Sequence, residues 1–142
     1  MKKTILLSLA TATFTGGAMA QDLKAKDVPT VVKEALLKKY PHAIKVSWEK
    51  EKGNYEASWG GRSGEDTSVQ FTPAGAFVEE VDAIAVSKLP ADVALYVKAH
   101  YKGSTIKEAG KVTDAAGNKL FEAEIKGKDL IFDESGKFVK AD

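Results

Sequence analysis

The chain has 142 residues, with 21 Lys and Arg set against 20 Asp and Glu, a formal net charge of +1. That balance offers no field to attract nucleic acid or an anionic membrane surface. Cysteine is absent, which excludes disulfides, thiol catalysis and thiolate metal sites.

Residues 1–20 read as an export leader, the signal peptide. Lys2 and Lys3 form a basic start, residues 5–14 are mostly apolar, and Ala18-Met19-Ala20 supplies the small-residue cleavage pattern. Cleavage after Ala20 and a periplasmic location are therefore expected. The apolar run is far shorter than the roughly 20 residues that span a bilayer, so membrane insertion is not expected. Loss of the two leader lysines takes the charge from +1 to −1. Residues 21–142 are enough for one core and short for two, so they are expected to form a single domain.

A first helix is expected after Asp27, which can cap it, with Pro29 in the first turn where a missing N–H is harmless. Val28, Val31, Val32, Ala35, Leu36 and Tyr40 recur at helical spacing, and Pro41 stops the helix. Strands follow. Ile44, Val46 and Trp48 alternate with polar residues, Lys52-Gly53-Asn54 turns, and Tyr55, Ala57 and Trp59 alternate in their turn. After the glycine-rich loop 60–66 come Val69 and Phe71, the turn Pro73-Ala74-Gly75, and a long strand over residues 76–86.

A second helix begins near Leu89-Pro90, with the stripe Leu89, Val93, Tyr96, Val97 and Tyr101 and an end at Gly103. Strands are expected over residues 106–113, 119–126, 128–133 and 137–140. The two stretches are copies. Pro29 matches Pro90, Tyr40 matches Tyr101, Phe71 matches Phe132 and Gly75 matches Gly136, all 61 residues apart, and Tyr55-Glu56-Ala57 matches Phe121-Glu122-Ala123. Matching Ile44 to Ile106 gives an offset of 62, which leaves Glu108 and Gly110 out of phase and suggests a bulge. The expected fold is α+β: an α-β-β-β-β unit used twice (residues 28–86 and 89–140), its strands in one antiparallel sheet with both helices on one face.

The strings Val28-Pro29, Lys39-Tyr40-Pro41, Val46-Ser47-Trp48-Glu49 and Tyr55-Glu56-Ala57 carry a resemblance, together with Leu89-Pro90, Tyr101, Phe121-Glu122-Ala123-Glu124-Ile125, Phe132-Asp133 and Gly136-Lys137-Phe138. They are similar to the PepSY-like family of exported bacterial domains, themselves described as similar to β-lactamase inhibitor proteins. The resemblance implies tandem α/β units in a curved antiparallel sheet with the helices on one side. The inhibitors are disulfide-bonded and this chain has no cysteine.

Chemistry is sparse. His42 and His100 occupy non-equivalent positions in the repeat, and neither has a partner for metal binding or general-base work. Ser63 lacks a nucleophile-elbow context. Arg62 and its glycines could form an anion nest, but the loop has no Walker lysine. Asp129, Asp133 and Glu134 do not follow calcium-loop spacing. No catalytic, metal or cofactor residue is therefore assigned. Trp48 and Trp59 alternate with core positions and are expected to be core. The opposite face of the sheet is polar and acidic, and it is expected to be open. Glu49, Glu56, Ser58, Glu122 and Glu124, rimmed by Arg62, form the candidate partner-binding face. The expected function is a non-catalytic module that binds a protein or peptide, an inhibitor or modulator of an envelope enzyme in its sharper form. The alternative is a periplasmic binder of a small ligand or ion, with a pocket between helices and sheet.

Overall fold

The computed structural model describes residues 20–142. The expected leader lies outside these residues apart from Ala20. Nine strands form one antiparallel sheet in strict chain order: β1 (Gln21–Leu23), β2 (Ser47–Glu51), β3 (Asn54–Trp59), β4 (Thr67–Phe71), β5 (Phe77–Ile84), β6 (Glu108–Asp114), β7 (Lys119–Ile125), β8 (Lys128–Asp133) and β9 (Phe138–Ala141). Helix α1 (Thr30–Lys39) follows β1, and α2 (Ala91–His100) follows β5. The fold is α+β, as the alternating pattern predicts.

The duplication is visible in the backbone. Pro29 and Pro90 hold the N-terminal boundary of the two helices with nearly identical dihedrals, φ −53° in both and ψ 140° and 142°. Neither helix has a side-chain cap. Asp27 belongs instead to a short 3₁₀ turn, Ala25–Asp27, whose counterpart is Val86–Lys88. Fixed proline φ replaces the expected Asp27 cap. The second helix ends at His100, with Tyr101 as its C-cap, before Gly103. A ladder irregularity falls between Gln70 and Phe71 on β4 and again between Ile131 and Phe132 on β8.

Strand β6 runs without interruption against both neighbours. The expected bulge is therefore absent there. Ala109, paired with Ala123, stands where Trp48 pairs with Ala57, so the true offset is 61 and the Ile44–Ile106 match is one residue out. Strand β1 is an addition to the expected elements. It pairs with the outer edge of β2 and corresponds to the end of β5, which pairs with β6 in the same way. Strand β5 thus closes the first unit and opens the second.

Each helix covers its own part of one sheet face. Val28, Val32 and Leu36 pack on Trp48, Ala57, Val69 and Phe71. Val93 and Val97 pack on Ala123, Ile125, Leu130 and Phe132. Tyr96 stacks on Phe138 with ring centroids 4.5 Å apart, and Tyr40 packs on Trp59 at 5.1 Å. The Tyr40 hydroxyl donates to the Glu80 carboxylate on β5, tying the end of α1 to the central strand.

The turns after β4 and β8 press against the helix starts. Gly136 has φ +88°, and a Cβ there would lie 2.9 Å from Cβ of Pro90. Gly117 has the same kind of φ, +85°, with nothing within 4 Å. Gly136→Ala is expected to destabilise by about 2–3 kcal/mol, and Gly117→Ala by about 1 kcal/mol, because only the first adds a clash to the backbone strain. Urea midpoints of the two variants measure the difference, and equal losses would show that the turn can move away from α2.

Candidate functional site

The face away from the helices is built from cross-strand rows. One runs Glu49, Glu56, Gln70, Glu79, Asp114 across five strands, β2 to β6. Another runs Gly110, Glu122, Ile131, Lys140 across β6 to β9, and a third joins Glu108, Glu124 and Asp129. Alternation puts them all on one side. The face brings together Glu49, Glu56, Ser58, Glu122 and Glu124. Arg62 is exposed on the loop between β3 and β4.

This face is not open as expected. Glu56 is 3% exposed, Glu122 2%, and Ser58, Ser68, Gln70 and Asp129 are buried as well. The cause is coiling of the sheet. Laid flat at about 4.8 Å per strand, β2 and β8 would stand roughly 29 Å apart. Yet the charge of Glu51 on β2 raises the Asp129 carboxyl on β8, and Asp142 beyond β9 raises Glu79 on β5. The two halves therefore curl toward each other over a shared concave side, as accumulated twist dictates. Strands β1 and β9 are not paired, so the coil stays open-edged. Val81 and Val112, with Leu120 against them, form a small apolar floor on that side. Close approach there depends on Gly110, where a Cβ would come 2.7 Å from Val81.

Acids surround the buried carboxyl groups. Burial, then the charges of Glu51, Glu49 and Glu79, pushes Glu56 up to about 8, and a hydrogen bond from Gln70 Nε2 at 3.2 Å offsets only part of that. Burial is also the main cause for Glu122, held well above the usual carboxylate range with further push from Asp129, Glu79, Glu124 and Glu56. Asp129 is pushed up to about 7, again first by burial. Lys140 is the cation of the row, and it is paired with Asp142 at 2.7 Å. Ser58 and Ser68 share a hydrogen bond at 2.8 Å. Glu51, Glu79 and Glu108 belong to this face too, and sequence reasoning passes over them. Glu51 continues the Glu49 alternation, which is the signal that could have found it.

Trp48 is buried, Trp59 half-buried, and His42 and His100 are exposed. Among the described residues no three His, Asp or Glu side chains gather at metal-ligand spacing. The Ser63 hydroxyl accepts the Glu65 amide at 3.2 Å, an ordinary turn bond. A cavity of about 540 Å³ lies beside the end of α2, lined by Val97, Lys98 and Ile106, at the loop rather than between helix and sheet. No helix among the described residues is long and apolar enough to cross a membrane.

No protein-family model matches the chain, and no curated protein does. Solved structures do. A candidate periplasmic protein from Bacteroides eggerthii aligns with TM-score 0.65 at 20% identity, over 81% of this chain and 88% of that one. A DUF2874 family protein from Bacteroides uniformis gives 0.65 at 22% identity, over 80% and 88%. A BLIP-like protein from Bacteroides fragilis gives 0.58 at 19% identity, over 80% and 84%. The fold is thus that of BLIP-like and DUF2874 proteins.

Proposed function

We propose that the protein is an exported, non-catalytic binding module whose concave carboxylate face takes a protein or peptide. Modulation of an envelope enzyme is the sharper form of this reading. The observation that carries it is the repeated burial of Glu56 and Glu122, at equivalent positions of the two units, with like charges around them. Burying acids away from cations opposes folding, and groups perturbed in that way cluster at functional sites. A packed apolar pair would serve a purely structural role better. The leader-like residues 1–20 support export, and so does the periplasmic description of a fold neighbour. The shared fold of a BLIP-like neighbour supports the inhibitor-like form of this reading.

The test is capture from an envelope extract by the purified protein and by its Glu56→Gln/Glu122→Gln variant. Glutamine keeps the shape of a protonated glutamate, so both proteins should show the same far-UV circular dichroism. The wild type should retain a protein species that the variant retains at least tenfold less. Equal retention by both would remove this face from consideration.

A further inference from the structure

Glu122 differs from its repeat partner in one respect. Glu56 accepts the Gln70 amide, but the residue equivalent to Gln70 is Ile131, which pairs with Glu122 across β7 and β8. On the other side Glu122 faces Gly110. Neither neighbour has a side-chain donor. The Oε2 atom of Glu122 is buried and has no hydrogen-bond partner among the described residues. The charges that act on it are all acidic: Asp129 on β8, Glu79 on β5, Glu124 on β7 and Glu56 on β3. Lys140 on β9, opposite Ile131, is held by Asp142. A buried acceptor among acids is complementary to a donor with positive charge.

We propose that Glu122 and Glu56 together form a seat for the cationic end of a lysine or arginine side chain, presented by an extended segment of a partner protein. This rests on the binding-face reading above and names the partner chemistry. The shape of the acidic surface favours a chain over a point ion. The row from Glu49 to Asp114 crosses five strands, roughly 19 Å at the usual strand spacing, which is the reach of about six extended residues. Among the described residues no three carboxylates gather as a metal cage requires. Entry to the seat is by way of the unpaired edges: β1 and β9 are not joined, so no ladder hydrogen bond closes the coil. The incoming cation takes the place of protons, so binding ionises the seat and releases protons to solvent.

The experiment is calorimetric titration of the purified protein at pH 7 with a blocked hexapeptide carrying two lysines, and with the same peptide acetylated on both ammonium groups. Each titration is run in two buffers of different ionisation enthalpy. The lysine peptide should bind with proton release, and the acetylated peptide at least tenfold more weakly. Glu122→Gln should weaken the lysine peptide at least tenfold and reduce the proton release. Equal binding of the two peptides, no binding of either, or displacement of the lysine peptide by equimolar calcium chloride would overturn the seat. The acetylated-peptide arm stands even where the variant folds poorly. The capture experiment separates the two ideas. A species that Glu56→Gln/Glu122→Gln loses, but that excess lysine peptide fails to release, removes the seat and keeps the face.

Discussion

The protein is expected to be most stable in mild acid and to weaken steadily from pH 5 to pH 9. Glu56 is raised from 4.5 to about 8 in the folded state. Between those values the native chain holds a proton that the unfolded chain has released, so unfolding becomes more favourable as pH rises, and the slope ends above the folded value. A tenfold change in proton affinity corresponds to about 1.4 kcal/mol, which makes Glu56 alone worth on the order of 3–5 kcal/mol across that window. Glu122, Asp129, Glu79 and Glu124 are raised as well and act in the same sense. Asp114 and Asp133 act oppositely. Turn hydrogen bonds lower both, so their contribution is present above the unfolded aspartate value and is lost as pH falls through the lowered one. Maximum stability therefore falls near pH 4–5, between the two sets of titrations. Urea unfolding at pH 5, 7 and 9 measures the trend, and Glu56→Gln should flatten it. A midpoint that does not move between pH 5 and pH 9 would show that the concave face is hydrated and its acids ordinary.

Phe132→Ala is expected to cost about 3–5 kcal/mol and to be felt in the other half of the molecule. Phe132 is fully buried and touches Tyr96 at 5.5 Å and Phe138 at 5.8 Å between ring centroids, so truncation opens a cavity under α2. Trp48 and Trp59, the chain's two tryptophans, belong to the first core. Tryptophan fluorescence thus reports on the first half, and far-UV circular dichroism on both. Strand β5 is hydrogen-bonded to β4 and to β6, so the halves should unfold in one transition. The variant should shift both signals to the same lower midpoint. A fluorescence midpoint left at the wild-type value would mean that the two cores melt separately.

Alternation carries most of the architecture. Trp48, Ala57 and Val69 lie on the helix side of β2, β3 and β4 because every second residue must, and the repeat then predicts Ala123 and Leu130 in the second core. Strand β1 is not legible, since three residues carry no usable period and only the edge of β2 makes them a strand. The register of β6 is misread from the sequence because Ala109 replaces a tryptophan with a small residue, and Ile106 is the more conspicuous match. The acidic face is legible as a side of the sheet and illegible as an interior. Alternation tells which way Glu56 and Glu122 point. The curvature that buries them is summed over nine twisted strands, and no local window contains it.

The dual membership of β5 also decides where the gene could be divided. A fragment starting at residue 89 would leave β6 with a bare flank, and a fragment ending at residue 75 would do the same to β4. Only a piece that retains residues 77–84 supplies the missing ladder on either side. The polypeptide is consequently less a pair of joined modules than two overlapping ones, and severing it cleanly needs a duplicated copy of that single segment.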